Sequence, residues 1–540
     1  MEHRYEDPGI DVLREIAGGA AGGDVDGDGW PDLYVVGGDA SRHFLFLNER
    51  DGTFREAAEE LGVALAGEHT AGPAFADVDG DRDLDLFVGS FNPGPALFEQ
   101  SGGSFVEVAR PRGQFPPGPY VSASFADYDR DGDLDLLTTH WAALLARQFV
   151  DHLWRNDGSG RFEGVTEAAG LRINTEDSDL GPISWSFTGN FVDLDDDGWL
   201  DLLLASDFGL SQVFRNVGEG MFAEIAMPDV ITDENGMGTA IGDFDGDGDL
   251  DWFVTSIFDG SGSTSEFWGN SGNRMYENVG GAVFVDATER AGVRDGAWGW
   301  GACAVDFDND GDLDLYHVNG YRTRVTDEWL DRPAVLFLNR GDGTFVEAAA
   351  ATGVADRGNG RGVVCFDYDR DGDVDIFVAN IEGPMRLFRN DLVAGHGYLQ
   401  VRLVGKAPNT EGIGARITLE AGGLRQVREI RSGNHDASQS PAVAHFGLGA
   451  HTQVDRLAIR WPSGESTVVE AFGANREVAI LEVGGDANCD SSTTAADLVE
   501  LRRAFGSERR AAPCPAVDLD LDGDVDRDDE GLVALALFGE

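Results

Sequence analysis

Through the first 390 residues, apolar and polar positions alternate in short bursts, not at helical spacing. A small apolar stretch such as Phe75-Ala76, Phe125-Ala126 or Phe191-Val192 runs into a cluster of aspartates. The chain then re-emerges as an alternating strand, Leu84-Asp85-Leu86-Phe87-Val88 or Val374-Asp375-Ile376-Phe377-Val378. After a connection of variable length comes a strand such as Leu336-Phe337-Leu338-Asn339. A turn, Gly341-Asp342-Gly343, leads to a last short strand, Thr344-Phe345-Val346-Glu347. Apolar alternation, β-branched and aromatic enrichment and glycine turns predict four antiparallel strands per unit. Arg340-Gly341-Asp342 spells an adhesion tripeptide, but it occupies one of these repeated turns, where Arg50-Asp51-Gly52 also sits, and it is read as turn chemistry.

The aspartate cluster recurs seven times, every 50 to 66 residues, as Asp-x-Asp-x-Asp-x-x-x-Asp. The copies are Asp24, Asp26, Asp28 and Asp32 in loop 1, Asp77, Asp79, Asp81 and Asp85 in loop 2, and Asp127, Asp129, Asp131 and Asp135 in loop 3. Loop 4 holds Asp193, Asp195, Asp197 and Asp201; loop 5 holds Asp243, Asp245, Asp247 and Asp251. Loop 6 holds Asp306, Asp308, Asp310 and Asp314, and loop 7 holds Asp367, Asp369, Asp371 and Asp375. Four carboxylates so close repel one another unless a cation sits among them, and positions 1, 3, 5 and 9 of a tight loop suit a hard ion such as Ca²⁺. Seven four-stranded units predict a mainly β chain built on a seven-bladed β-propeller, which hides its sheet edges by radial repetition. The seventh unit stops at Leu387-Phe388-Arg389-Asn390 without a fourth strand. Residues 3–7 resemble the missing strand, so the amino-terminal segment is expected to close the last blade.

The loops account for much of the acidity: they hold 34 of the 98 acidic residues in a chain of net charge −58. A surface that stays acidic after the loops are filled argues against nucleic acid or anionic membrane as a partner. No apolar run is long enough for a membrane span. Cytosolic free calcium is too low for weak carboxylate sites, so the protein is expected to be secreted or at the cell surface, its leader missing from this chain. Four cysteines are too few for a disulfide scaffold. Cys489 and Cys514 could bridge. Cys303 and Cys365 precede their loops by different offsets, on opposite strand faces, and are expected to be buried thiols.

These repeats resemble the FG-GAP/VCBS calcium loops of integrin α-subunit propellers and of many bacterial surface proteins. The resemblance implies side-chain ligands at positions 1, 3, 5 and 9 and a carbonyl ligand at position 7, with up to seven Ca²⁺ in residues 1–392. Position 7 is Trp30 in loop 1. In loop 2, Arg82 replaces the glycine at position 6 and is expected to strain and weaken that site. Residues 393–483 read as a small β domain and resemble the ASPIC/UnbV domain through His445-Phe446-Gly447-Leu448-Gly449 and Trp461-Pro462-Ser463-Gly464. That domain follows FG-GAP propellers in the cartilage acidic protein family, and the resemblance brings no catalytic residues with it. Residues 484–540 carry two twelve-residue loops, Asp486, Asn488, Asp490 and Asp497, then Asp518, Asp520, Asp522 and Asp529, each followed by an apolar helical stretch. This small α-helical EF-hand pair resembles a type I dockerin, implying one or two further Ca²⁺ and a cohesin-like partner.

If the ion loops join the first and second strands, they occupy one face. The opposite face then carries His140, Trp141, Asp207, Asn319, Tyr321, Arg322 and Asn380, with Trp185, Trp298, Trp300 and Trp329 nearby. Aromatic planes mixed with polar groups on a rigid scaffold suit recognition of a protein or glycan. No nucleophile elbow, zinc-protease helix or phosphate loop is present. The leading expectation is a non-catalytic recognition or adhesion module. The alternative is a polysaccharide lyase or glycoside hydrolase using His140, Asp207, His317 and Arg322.

Overall fold

The structure, a computed structural model, describes residues 16–482 except 39–41, 68, 93, 110–114, 142–148, 174–183, 259–269, 322–328, 330, 382, 392–394 and 434. Each aspartate loop joins the first and second strands of its own antiparallel sheet, as the alternation requires. Sheet 1 runs Ala20–Gly23, Asp32–Val35, Phe44–Asn48 and Phe54–Glu56, and sheets 2 to 6 repeat that four-strand order. Sheet 7 has three strands among the described residues, Gly360–Phe366, Asp375–Asn380 and Arg386–Phe388. Residues 3–7, expected to add the fourth, lie outside the described residues.

The first strands are built from small residues because they crowd together at the centre. His69–Ala76 packs on Ala20–Gly23 and on Tyr120–Ala126, which packs on Ser186–Val192. Thr188 Oγ1 then donates to Met237 O at 2.7 Å and Asn190 Nδ2 to Thr239 Oγ1 at 2.7 Å, which ties sheet 4 to sheet 5. Thr239–Gly242, Gly299–Val305 and Gly360–Phe366 continue the series, and the last packs back on Ala20–Gly23, so the seven sheets form a propeller-like ring. At Gly72 (φ 54) a Cβ would run into the Val121 carbonyl of the next sheet, so only glycine allows that approach.

A hydrogen-bonded clasp links each sheet to its neighbour. The position 9 aspartate is buried in every loop. One of its oxygens accepts the main-chain N–H of the last residue of strand three, for example Asn48 to Asp32 at 2.8 Å, Asn216 to Asp201 at 2.7 Å and Asn278 to Asp251 at 2.8 Å. That asparagine's side chain donates to the position 2 carbonyl of the neighbouring loop, as Asn156 does to Val78 at 2.7 Å and Asn278 to Leu194 at 2.8 Å. Gln100 takes the same role toward Val25 at 2.9 Å. Asn48, in sheet 1, donates to Tyr368 in loop 7 at 2.8 Å and so completes the circle.

The two cysteines expected as thiols form a disulfide, Cys303–Cys365. Opposite strand faces, which argued against a pair within one sheet, are what a pair between sheets needs. The innermost strands of sheets 6 and 7 lie side by side, so the face of one looks at the opposite face of the next.

Residues 397–482 fold into two sheets. Gly397–Val404 lies between Val443–Gly449 and Arg476–Leu481, and Leu424–Glu429, Arg416–Ala421, Gln453–Arg460 and Ser466–Gly473 form the other. Leu399, Val401, Ile417, Leu419, Phe446, Leu448, Leu457 and Trp461 fill the core between them. Its segment 429–441 leaves this domain and enters the ring. Ser438–Gln439 pairs in parallel with Ala20–Ala21. Gln439 holds both main-chain groups of Phe75, at 2.6 and 2.9 Å. Ser124 Oγ donates to Ser432 O at 2.8 Å, Arg431 to Ile241 O at 2.9 Å, and Cys365 N to Ser440 Oγ at 2.9 Å.

Asn278→Ala removes the bond to Leu194 and strands a buried carbonyl, at a cost of about 1–3 kcal/mol. Denaturant unfolding of the variant is expected to show that loss. An unchanged midpoint would mean that other contacts hold the sheets together.

Candidate metal loops and the opposite face

Each loop is wound by its own carboxylates. In loop 5, Asp243 Oδ1 accepts Gly246 N at 2.9 Å and Oδ2 accepts Gly248 N at 3.0 Å, while Asp247 Oδ1 accepts Asp249 N at 2.9 Å. The winding puts positions 4 and 6 in the left-handed region. Gly27, Gly80 and Gly246 supply position 4 freely, whereas Arg130, Asp196, Asn309 and Arg370 adopt it against their own preference. At position 6, Arg82 (φ 77) stands where the other loops have glycine, the strain expected from the sequence.

Ligand atoms converge as a result. One oxygen from each of Asp24, Asp26 and Asp32 lies within 4.8 Å of the others, as do those of Asp77, Asp79 and Asp85 and of Asp127, Asp129 and Asp135. In loops 4 and 5 the same holds for Asp193, Asp195 and Asp197 and for Asp243, Asp245 and Asp247. Burial and the neighbouring charges push Asp32, Asp85 and Asp251 up to about 8 and Asp135 up to about 9. Several buried carboxylate oxygens have no hydrogen-bond donor: Asp79 Oδ1, Asp127 Oδ1, Asp135 Oδ2, Asp193 Oδ1, Asp308 Oδ1 and Asp369 Oδ1. Oxygen-only, multi-carboxylate sites with spare lone pairs fit a hard divalent cation.

The loop face is covered by residues 397–482. Arg402 reaches Asp24 at 3.1 Å, Thr410 Oγ1 donates to Asp77 at 2.6 Å, and Gln400 Nε2 donates to Asp367 at 2.8 Å. The His445-Phe446-Gly447-Leu448-Gly449 motif docks on loop 6. Its His445 Nε2 pairs with Asn309 Oδ1 at 2.7 Å, and Gly449 N donates to Asn309 O at 2.8 Å. A Cβ at Gly447 would fall on Asp306, while Phe446 and Leu448 point into their own domain's core. Between loops 1, 2 and 7 and this domain lies a cavity of ≈ 670 Å³ lined by Asp24, Asp367, Arg402, Glu411 and His435.

On the opposite face the expected ligand residues that are described are taken up by neighbouring groups. Trp141 Nε1 donates to Asp207 Oδ2 at 2.7 Å and Asn235 Nδ2 to Asp207 Oδ1 at 2.9 Å. Burial pushes Asp207 up to about 6, with those two hydrogen bonds opposing. His140 is 2 % exposed and takes its main-chain bond to Asp151. Asn319 donates to Pro333 O, Asn380 to Asp356, and Tyr321 stacks on Trp298 with ring centroids 4.0 Å apart. Trp141, Phe187, Trp298, Trp300 and Trp329 belong to one apolar cluster. Their irregular, aromatic loops read as a surface in the sequence; the structure packs these rings inward on one another. Phe208 is the exception, 47 % exposed at φ 63 with its ring edge-on to Trp185. Arg322 and the tail ligands Asp486 to Asp529 lie outside the described residues.

The acid–base candidates His140, Asp207 and His317 are likewise buried. His317 lies 3.2 Å from Asn273 Nδ2, and burial pushes it down to about 4. A depressed histidine contributes stability above pH 6.5 that is lost as pH falls through 4. His317→Gln is therefore expected to flatten unfolding free energy against pH between 6.5 and 4, by about 3 kcal/mol. Parallel wild-type and variant profiles would count against a neutral buried His317.

The sequence signal missed was the asparagine ending strand three, visible as Leu-Phe-x-Asn yet read only as strand. The model of the FG-GAP-like repeat matches residues 24–88, 77–138, 193–254, 258–317 and 329–391. The ASPIC and UnbV model matches residues 405–487. Cartilage acidic protein 1 of Mus musculus is 25 % identical over 296 residues, covering 52 % of this chain and 42 % of that protein. The Homo sapiens protein of the same name is 51 % identical over 71 residues, 13 % of this chain and 10 % of its own length. The chain thus spans less than half the length of either relative. Among solved structures, rhamnogalacturonan lyase YesW aligns at TM-score 0.37 with 13 % identity, over 70 % of this chain and 72 % of that one.

Proposed function

The chain belongs to the FG-GAP-like repeat proteins, and on that premise we propose that it is a calcium-loaded, seven-bladed extracellular propeller that recognises a protein or glycan without catalysis. The observation that carries the calcium reading is the convergence of buried carboxylate oxygens that lack hydrogen-bond donors, Asp127 Oδ1 and Asp135 Oδ2 above all. Asp, at positions 1, 3, 5 and 9, supplies the side-chain ligands in the loops that take an ion. The disulfide between Cys303 and Cys365 supports an oxidising, extracellular setting. The tail, 484–540, binds one or two further ions and docks to another protein.

Recognition falls to the face opposite the loops, since residues 397–482 already cover the loop face. The partner contacts connections between second and third strands, such as the one carrying Phe208, together with Trp185 beside it at the start of sheet 4.

Ions that bind only the folded state stabilise it by RT ln(1 + [L]/Kd), about 2.7 kcal/mol per site at a hundredfold excess over Kd. Excess chelator is expected to lower the melting temperature markedly, and restored calcium to recover it. A melt indifferent to chelator would refute structural calcium. For the partner, a glycan and protein array probed in calcium is expected to give hits that Phe208→Ala weakens. Hits that instead track the tail alone would move recognition off the propeller.

A further inference from the structure

Loops 1 and 4 differ from the other five, and the difference starts in the sequence. Position 7 is Trp30 in loop 1 and Trp199 in loop 4, but Asp83, Asp133, Asp249, Asp312 and Asp373 elsewhere. Loop 1 thereby holds four aspartates while loop 4, with Asp196 at position 4, still holds five, and the fold surrounds both with guanidinium groups. In loop 1, Arg50 lies 2.7 Å from Asp28 Oδ2 and Arg402 lies 3.1 Å from Asp24 Oδ2. In loop 4, Arg215 pairs with Asp195 and, at 3.4 Å, with Asp197, while Arg460 pairs with Asp193 and, at 3.0 Å, with Asp196.

The construction is the same twice. One arginine comes from the loop's own sheet, beside the strand-three asparagine, and grips positions 3 or 5. The other comes from residues 397–482 and grips position 1. A third arginine, at position 4 of the neighbouring loop, lies over each tryptophan: Arg370 over Trp30 at 5.4 Å and Arg130 over Trp199 at 4.4 Å. Arg130 also donates to Gly198 O.

Among the described residues, no ion pair reaches the position 1, 3, 5 or 9 carboxylates of loops 2, 3, 5 and 6, and loop 7 has only Arg389, 3.9 Å from Asp369. The contrast is one of charge, since loop 4 keeps Asp193 Oδ1 and both Asp195 oxygens buried without hydrogen-bond donors, just as loop 3 keeps Asp127 Oδ1 and Asp135 Oδ2. The fixed positive charge of a guanidinium paired with these carboxylates opposes a second cation at the same place.

We propose that loops 1 and 4 are neutralised by arginine where the other five take a cation, and that Arg402 and Arg460 at these loops latch residues 397–482 to the ring. The proposal rests on the calcium reading of the remaining loops. It makes the propeller's load five ions, not seven.

The test is a calcium count on the metal-free full chain, by titration calorimetry and by metal analysis after dialysis, read as differences from wild type so that the tail's ions cancel. Arg50→Ala/Arg402→Ala and Arg215→Ala/Arg460→Ala are each expected to gain one ion per chain, while Asp129→Asn in loop 3 loses one. Arg50→Ala and Arg215→Ala alone, whose side chains are about half exposed and outside the contact with residues 397–482, guard against misfolding of the double variants. Each is expected to raise affinity at its loop at least tenfold, or to add the ion outright. Arginine variants that bind the same number of ions as wild type, with the same affinities, overturn the proposal. If wild type binds no calcium and Asp129→Asn changes nothing, the calcium reading itself fails, and the proposal with it.

Discussion

A carboxylate buried at the foot of every loop sets the terms for the whole ring. Asp32, Asp85, Asp135, Asp201, Asp251, Asp314 and Asp375 are all almost inaccessible to solvent. An ionised carboxylate in such a place costs several kcal/mol unless hydrogen bonds and opposite charge repay it. The fold supplies two main-chain N–H groups to most of these aspartates, one from the loop and one from strand three, as at Asp251 from Phe244 and Asn278. The same asparagine then holds the neighbouring loop, so satisfying the charge within one sheet also sets the distance to the next. This is why a loop motif and a strand motif, about fifteen to twenty-seven residues apart in the chain, recur together.

The second domain follows from the same constraint. Seven acidic loops on one face leave an excess of negative charge that water alone would have to screen. Residues 397–482 bring Arg402, Arg416 and Arg460 to that face and send 429–441 down the centre, where first strands would otherwise line a channel. Gly433 shows how close that approach is, since a Cβ there would meet the Ala123 carbonyl. Propeller and second domain are joined by main-chain pairing and not only by surface contact.

Much of this was legible in the chain. Strand count, loop position and the β character of 393–483 follow from period and spacing, because each depends on neighbours close in sequence. The disulfide was missed because its logic lies between sheets: Cys303 and Cys365 look mismatched until two strands 62 residues apart stand side by side. The opposite face was misjudged for a related reason. Trp141, Asn319, Tyr321 and Asn380 have the composition of a binding surface, but sequence does not reveal that they are buried. Aromatic rings with a hydrogen-bonding edge serve both purposes. Arg50 and Arg215 were invisible as loop partners, since nothing in a single chain tells an exposed arginine from one that pairs with a loop carboxylate.

The two faces differ in what they permit. Between first and second strands the spacing of the aspartates is constant in all seven loops, because the carboxylate turns and the clasp tolerate no insertion. Between second and third strands the chain has no such duty, and the connection ranges from Asn92 to Ala96 in sheet 2 to Val254 to Arg274 in sheet 5. Variation collects where neither carboxylate, asparagine nor the second domain sets the length. A scaffold built this way can change what it recognises without disturbing what holds it together, which is the physical reason to look for the partner among those connections and not at the loops.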